Sequence, residues 1–500
     1  MQIYLDRVQN IQVFSKTSEL IFDLLDFSEG SKSEAQSILY RLHEFMKTLR
    51  PELVFLLETQ YVDKDYRDIY YHYYSSKLQP FRRNCVRLSL FEPIFNNADE
   101  YFEVKQEVLN EAFRGYLVLR PLANAIIGRN AISVKAFQNQ DMQICRTVLK
   151  TTCLGRKLCV KAFPHASQDG EFMTCAETTA WSIMEYFGNK YPIYSPLLPS
   201  KIKDTLQPFA SERLSPSEGL TIMQISTELE KHNISAKIYS RDNYKKNPAE
   251  FKRIFSCYVE SGFPLAVSAT SPAITGGHAM VCVGRQTMDK TKPLSITTLQ
   301  IGPQSIDYYL WNDNVNNFVY NDDNRQPYKL VPFDKPLEGY NNGLDALQIT
   351  HFVVPLHEKI MLTAEMAMSE AQFIAYKVIK SPMNSVLRTF MASSRTYRNY
   401  IASNADLTTA QKVRCLQIEM PKFVWVTEIS TEDEFKNNKV NALIVLDATS
   451  YSKTQLRLEA TLLLIYHNCN GMVYNRKNRA FESLGVAMPN SIESFKGNLK

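Results

Sequence analysis

Three side-chain types suited to acyl chemistry lie in order along this chain: a cysteine at 175, a histidine at 278 and a pair of acids at 322 and 323. Cys175 lies within Thr174-Cys175-Ala176-Glu177, where a threonine followed three residues later by an acid reads as a capping box. A helix is therefore predicted to start at Cys175, with Ala176, Ala180, Ile183, Met184 and Phe187 on its buried face and Gly188 as its stop. A thiol in a first helical turn faces unpaired backbone amides and the positive end of the helix dipole, and both favour the thiolate. Acyl transfer also needs a proton carrier and donors for the oxyanion. His278 follows Gly276-Gly277 and is predicted to open a strand, with small neighbours leaving room for a substrate. Gln168 lies in the polar loop Ser167-Gln168-Asp169-Gly170. From there its amide would reach over the helix start and join the Cys175 N–H in an oxyanion hole.

Gln168, then Cys175-Ala176 on a helix, then the strand Gly262-Phe263-Pro264-Leu265-Ala266-Val267, then Gly277-His278-Ala279-Met280-Val281-Cys282-Val283-Gly284, form an order that resembles the papain-like cysteine peptidases. It is most similar to their bacterial branch, the peptidases that process double-glycine leaders. The resemblance implies that Gln168 serves the oxyanion hole, Cys175 attacks and His278 activates it. It also implies an Asn or Asp at the end of the next strand to fix the imidazole tautomer. Two strand ends compete for that role, one at Asp313 and one at Asp322-Asp323. Asp322 is preferred, because an acid running into the turn at Pro327-Tyr328 resembles the Asp-Pro ending of the leader-peptidase branch. The Asn-Ser-Trp and Cys-Gly-Ser-Cys-Trp signatures of papain's own relatives are absent.

What the resemblance implies is a cysteine peptidase of narrow specificity, cleaving a peptide or isopeptide bond. A transglutaminase-like amine transfer shares the same layout, and an inactive papain-like scaffold is the alternative from another class. Neither cofactor nor metal is expected, and the implied partner is a protein or peptide substrate. A regulatory partner would bind the flanking regions.

The elements that must position these residues read as an α+β fold in three regions. Residues 1–150 form an α+β N-terminal region, 151–355 the papain-like domain, and 356–500 a C-terminal region of α/β type. Helices are predicted between Val8 and Leu56 around a loop at Ser28 to Ser33, and again over Val104 to Ala112. Strands are predicted at Gly115 to Leu122, Ile132 to Ala136, Gln143 to Val148 and Lys157 to Phe163. Between Tyr61 and Phe91, five tyrosines at 66, 70, 71, 73 and 74 stand among basic residues. Such tyrosines more often pack a helix than stack nucleobases. Further on, a helix through Phe251 to Val259 ends at Gly262, and another spans Leu362 to Ile379. The segment Leu456 to Tyr466 fits helix or strand equally.

Composition narrows the classes. A net charge of +5 is too small an excess to indicate a nucleic-acid or membrane-surface protein. No apolar run reaches the ~18 residues that span a bilayer, and no secretory signal opens the chain, so a cytoplasmic location is expected. Nine scattered cysteines without a CxxC pair argue against a disulfide framework or a zinc site. HExxH, GxSxG and phosphate-loop motifs are missing.

Overall fold

The computed structural model describes residues 4–13, 16–25, 35–209, 214–216, 219–271, 274–341, 343–450, 461–475 and 477–500. The fold is α+β, and the chain divides into two compact units. One comprises Met1–Ile238, Pro264–Val283 and Val319–Val353; the other comprises Tyr239–Phe263, Gly284–Phe318 and Val354–Lys500. Each unit is thus assembled from three stretches of chain, a different cut from the consecutive regions 1–150, 151–355 and 356–500. The loop read at Ser28 to Ser33 and the first part of Leu456 to Tyr466 lie outside the described residues. The second part of that segment is strand, Leu462–His467.

The first unit holds a five-stranded antiparallel sheet in chain order, Tyr4–Arg7, Val54–Tyr61, Cys85–Phe91, Phe113–Leu119 and Ile127–Ile132. The strand expected over Ile132 to Ala136 ends at Ile132. The Ser133 hydroxyl accepts from the Lys135 amide at 3.4 Å and turns Val134–Ala136 into a 3-10 segment. Tyr66 and Tyr74 are buried in the core beneath this sheet, so at these positions the aromatic block is packing surface. Trp181 from the Cys175 helix and Phe172 from the loop before it join the same core.

A second sheet, also based in this unit, runs in the order Lys329–Pro332, Asn317–Asn321, Ile274–Gln286, Leu265–Ser271, Gln348–His357 and Ile234–Ser240. His278 does not open its strand, which begins at Ile274. Gly276 takes a left-handed φ of +95°, and a Cβ at Gly277 would come within 2.9 Å of the Ala269 carbonyl. Gly277 therefore lets two strands close on each other, whereas a Cβ at Gly276 would meet nothing within 4 Å. Gly188 likewise does not stop the Cys175 helix, which continues to Lys190. A Cβ there would collide with Pro196, 2.3 Å from its nitrogen.

The second unit carries an eight-stranded sheet whose strands pair antiparallel except Gln304–Leu310 beside Val386–Ser393. Its C-terminal strands follow one another through tight connections such as Asn468-Cys469, both at positive φ. The C-terminal strands pair antiparallel, even where helices such as Ser394–Ser403 and Thr409–Leu416 lie between them, and so do not form the parallel layout of the expected α/β type. No described helix is long and apolar enough to cross a membrane.

Candidate active site

Cys175 is the first residue of the helix Cys175–Lys190, with Thr174 as N-cap in a capping box with Glu177. The Thr174 amide donates to Glu177 Oε2 at 3.3 Å, and the Thr174 hydroxyl donates to the same oxygen. Glu177 is fully buried, and Lys203 Nζ meets its other oxygen at 2.5 Å. The helix start thus rests on a paired charge, and every residue from Ala176 to Phe187 is buried. The approach to Cys175 is equally constrained, since Asp169 Oδ1 accepts from the amides of Glu171, Phe172 and Met173 at 2.7–2.9 Å. Half-buried Cys175 is left at the end of this rigid turn. N–H groups of a first helical turn have no intrahelical acceptor, so its amide is free to face a ligand.

Buried His278 lies beside Cys175 and hydrogen-bonds Asp322. Its Nε2 is 2.8 Å from Asp322 Oδ1, which leaves Nδ1 as the nitrogen for the thiol. Asp322 is oriented in turn by the Tyr340 hydroxyl, which donates to Oδ2 at 2.5 Å, and by the Asn324 amide, which donates to Oδ1 at 3.0 Å. Burial opposes charge on His278, yet the Asp322 carboxylate, the hydrogen bond to it and the neighbouring Cys175 and Asp323 hold its pKa well above the usual imidazole range. Burial raises Asp322 too, but His278, Tyr340 and the Asn324 amide outweigh it and hold the acid well below the usual carboxylate range. The two form an ion pair.

Asp323 sits one residue on, with Oδ1 3.7 Å from His278 Nε2. Neither of its carboxyl oxygens has a hydrogen-bond partner. Burial, opposed by His278 and reinforced by the neighbouring Asp322 charge, pushes it up to about 8. Asp313, the third candidate, is held by Arg253 at 2.7 Å and also bonds the Thr297 hydroxyl. His278, Asp322 and Asp323 place ligand-type atoms within 4.8 Å of one another, as a cation site would. However, both Asp322 oxygens and His278 Nε2 are spent on direct hydrogen bonds, so a cation could enter only by breaking them.

Gln168 lies beside this cluster but points elsewhere than expected. Its Nε2 donates to Asn324 Oδ1 at 2.6 Å, and no hydrogen bond joins it to Cys175 among the described residues. An amide carries two N–H donors, so one remains for a ligand.

Four positioning residues carried no signal in the sequence. His165 donates from Nε2 to the Asp322 carbonyl at 2.9 Å, while Asn130 Nδ2 donates to its Nδ1 at 2.9 Å. Burial pushes the His165 pKa down to about 4, consistent with a neutral ring of fixed tautomer. Arg120, also buried, donates to the carbonyls of Ser167 and Gln168 at 3.0 and 3.2 Å. Asn130 and Arg120 belong to the N-terminal 150 residues, so that region builds the site's frame. Tyr340 is the fourth, and nothing near it in sequence marks it as a partner for an acid almost twenty residues earlier.

No protein-family model matches the chain, and no curated protein matches it.

Proposed function

We propose that this protein is a cysteine peptidase of papain-like arrangement, cleaving a peptide or isopeptide bond through Cys175, His278 and Asp322. The observation that carries the reading is a helix-start thiol beside a buried imidazole that is itself hydrogen-bonded to a buried, doubly held carboxylate. A buried acid fixes the imidazole tautomer and stabilises the imidazolium, and the imidazolium stabilises a thiolate.

The thiolate adds to the substrate carbonyl. The Cys175 N–H and the second Nε2 hydrogen of Gln168 hold the oxyanion. His278 passes its proton to the leaving amine, giving an acyl-enzyme, and water activated by the then neutral imidazole releases the acid. Asp322 stays ionised throughout. The substrate is a protein or peptide, and a cytoplasmic location suits a free thiol that must stay reduced.

Labelling with a thiol-directed electrophile, followed by mass spectrometry, tests the reading. Cys175 is expected to react faster than the other eight cysteines at neutral pH, and His278→Ala to abolish that advantage. Equal reactivity in wild type and variant would sink the peptidase assignment.

A further inference from the structure

A cleft of about 770 Å³ in the first unit has Gln168, Asp323 and Asn324 in its wall, so it opens against the acid side of the catalytic cluster. Its charge is one-sided. Arg41, Arg325 and Lys329 also line it, and each gives a side-chain N–H to a backbone carbonyl: Arg41 to Asn124, Arg325 to Gly339 at 3.0 Å, and Lys329 to Glu338. A carbonyl fixes the direction of a cation without cancelling its charge, and no described carboxylate forms an ion pair with any of the three.

The acids of the same wall do not compensate. Glu44 is taken by Lys47 at 2.9 Å. Asp169 turns Oδ1 to three amides and faces the Arg120 charge, and burial raises the Asp323 carboxyl. Arg325 and Lys329 lie over the Tyr340 ring, 4.3 and 5.3 Å from its centroid, which holds them in place and leaves their charge intact. Arg325 Nε is buried without a hydrogen-bond partner. Burial, then the adjacent Arg325, pushes the Lys329 ammonium below its ordinary range. Half-buried Arg325 and Lys329, beside exposed Arg41, make a cationic wall in which no described carboxylate forms an ion pair, and an anion placed there would complete it. Beside them, Ser167, Gln168 and Asn324 supply neutral groups of the kind that pair with peptide amides.

We propose that this cleft is a subsite for a carboxylate carried by the substrate, so that the bond cleaved lies near an acidic side chain or a free chain terminus. The inference rests on the peptidase reading for its substrate class, and its test is a binding measurement that needs no turnover. Fluorescent peptides differing only by Glu or Gln at one scanned position, each with a free or an amidated C terminus, are titrated into the Cys175→Ala protein and followed by anisotropy.

A preference of about tenfold for Glu over Gln identifies a side-chain carboxylate, and one for the free over the amidated end identifies the terminus. Lys329→Gln and Arg41→Gln should each remove most of that preference while leaving binding of the neutral peptide unchanged. Lys329→Glu should turn the preference toward a Lys-bearing peptide. Equal binding of every charged and neutral pair overturns the subsite, as does an equal loss for both members of a pair in the variants. A charge preference in a protein whose Cys175 proves unreactive would sink the peptidase reading and leave the subsite standing. Cleavage without charge preference would do the reverse.

Discussion

Each unit of this protein buries a cluster of charges, and the two clusters are built to different ends. In the second unit Glu260 is met by Arg285 and Arg388 at 2.6 Å each, Arg388 reaches Glu428 at 2.6 Å, and the Phe495 amide meets the remaining Glu428 oxygen at 2.6 Å. Every carboxylate there has a cation, and both guanidinium groups lie over the Trp311 ring, 4.8 and 5.5 Å from its centroid. In the first unit His278 has an acid on one side and a half-buried thiol on the other, while Asp323 makes no hydrogen bond and meets only His278, at 3.7 Å. A closed network ties strands together. An open one, with an orphaned acid and a reachable nucleophile, spends stability that a fold alone would not require.

The sharpest way to break this comparison is to remove one member of each cluster. Cys175→Ala should lower peptide turnover by about 10⁴ or more and shift Tm by no more than a few degrees, read by a fluorogenic assay and calorimetry. Arg388→Ala should instead cost about 3–5 kcal/mol in urea unfolding, because it strands Glu260 and Glu428 as underpaired buried charges. If the cysteine change destabilised as much as the arginine change, the distinction between site and scaffold would collapse.

Asp322→Asn should lie between them, slowing turnover by about 10²–10⁴ through the wrong imidazole tautomer. It also has a pH signature. His278 is raised, so its share of the ion-pair stability is complete below its unfolded pKa of about 6.5 and is lost as pH rises through the folded value. Asp322 is depressed, so its share is complete above about 3.9 and is lost as pH falls toward the folded value. The stability gap between wild type and variant should be widest between about pH 4 and 6.5, measured by denaturation across pH. A gap that grew steadily above pH 7 would contradict the ion pair.

The smallest change should come from Asp323→Asn, and it should carry the opposite sign. A carboxyl with a raised pKa binds its proton in the folded state when the unfolded chain has released it, so the wild type loses stability as pH climbs from about 4 to about 8. The asparagine variant lacks that loss and should be the more stable protein near neutrality, by a few kcal/mol at most. A loss of stability there would mean that Asp323 is ionised and paired.

The local pieces of this site were legible because they rest on short-range chemistry. Thr174 and Glu177 announced a helix start at Cys175, and Gly262, at φ +76°, ended the helix Pro248–Glu260 as its position suggested. The acid was legible only as a choice of three. Asp313 and Asp322 both follow strands, and no local feature says that Arg253 takes the first while His278 takes the second. Gln168 was placed by spacing alone, and spacing does not fix which way an amide turns. His165, Asn130 and Arg120 gave no sign, since a buried polar residue looks like any other until its partner is known.

By itself, the amino-acid sequence determined the α+β class, the helix that begins on a cysteine and the strand that carries the histidine, because capping, periodicity and glycine positions act within a few residues. Tertiary structure alone decided which acid hydrogen-bonds His278, that Asp323 beside it makes no hydrogen bond, and that Asn130 and Arg120 of the N-terminal region hold the frame. Those outcomes depend on burial and on pairings between residues far apart in the chain. Only the folded protein sets the solvation and distances that choose among them.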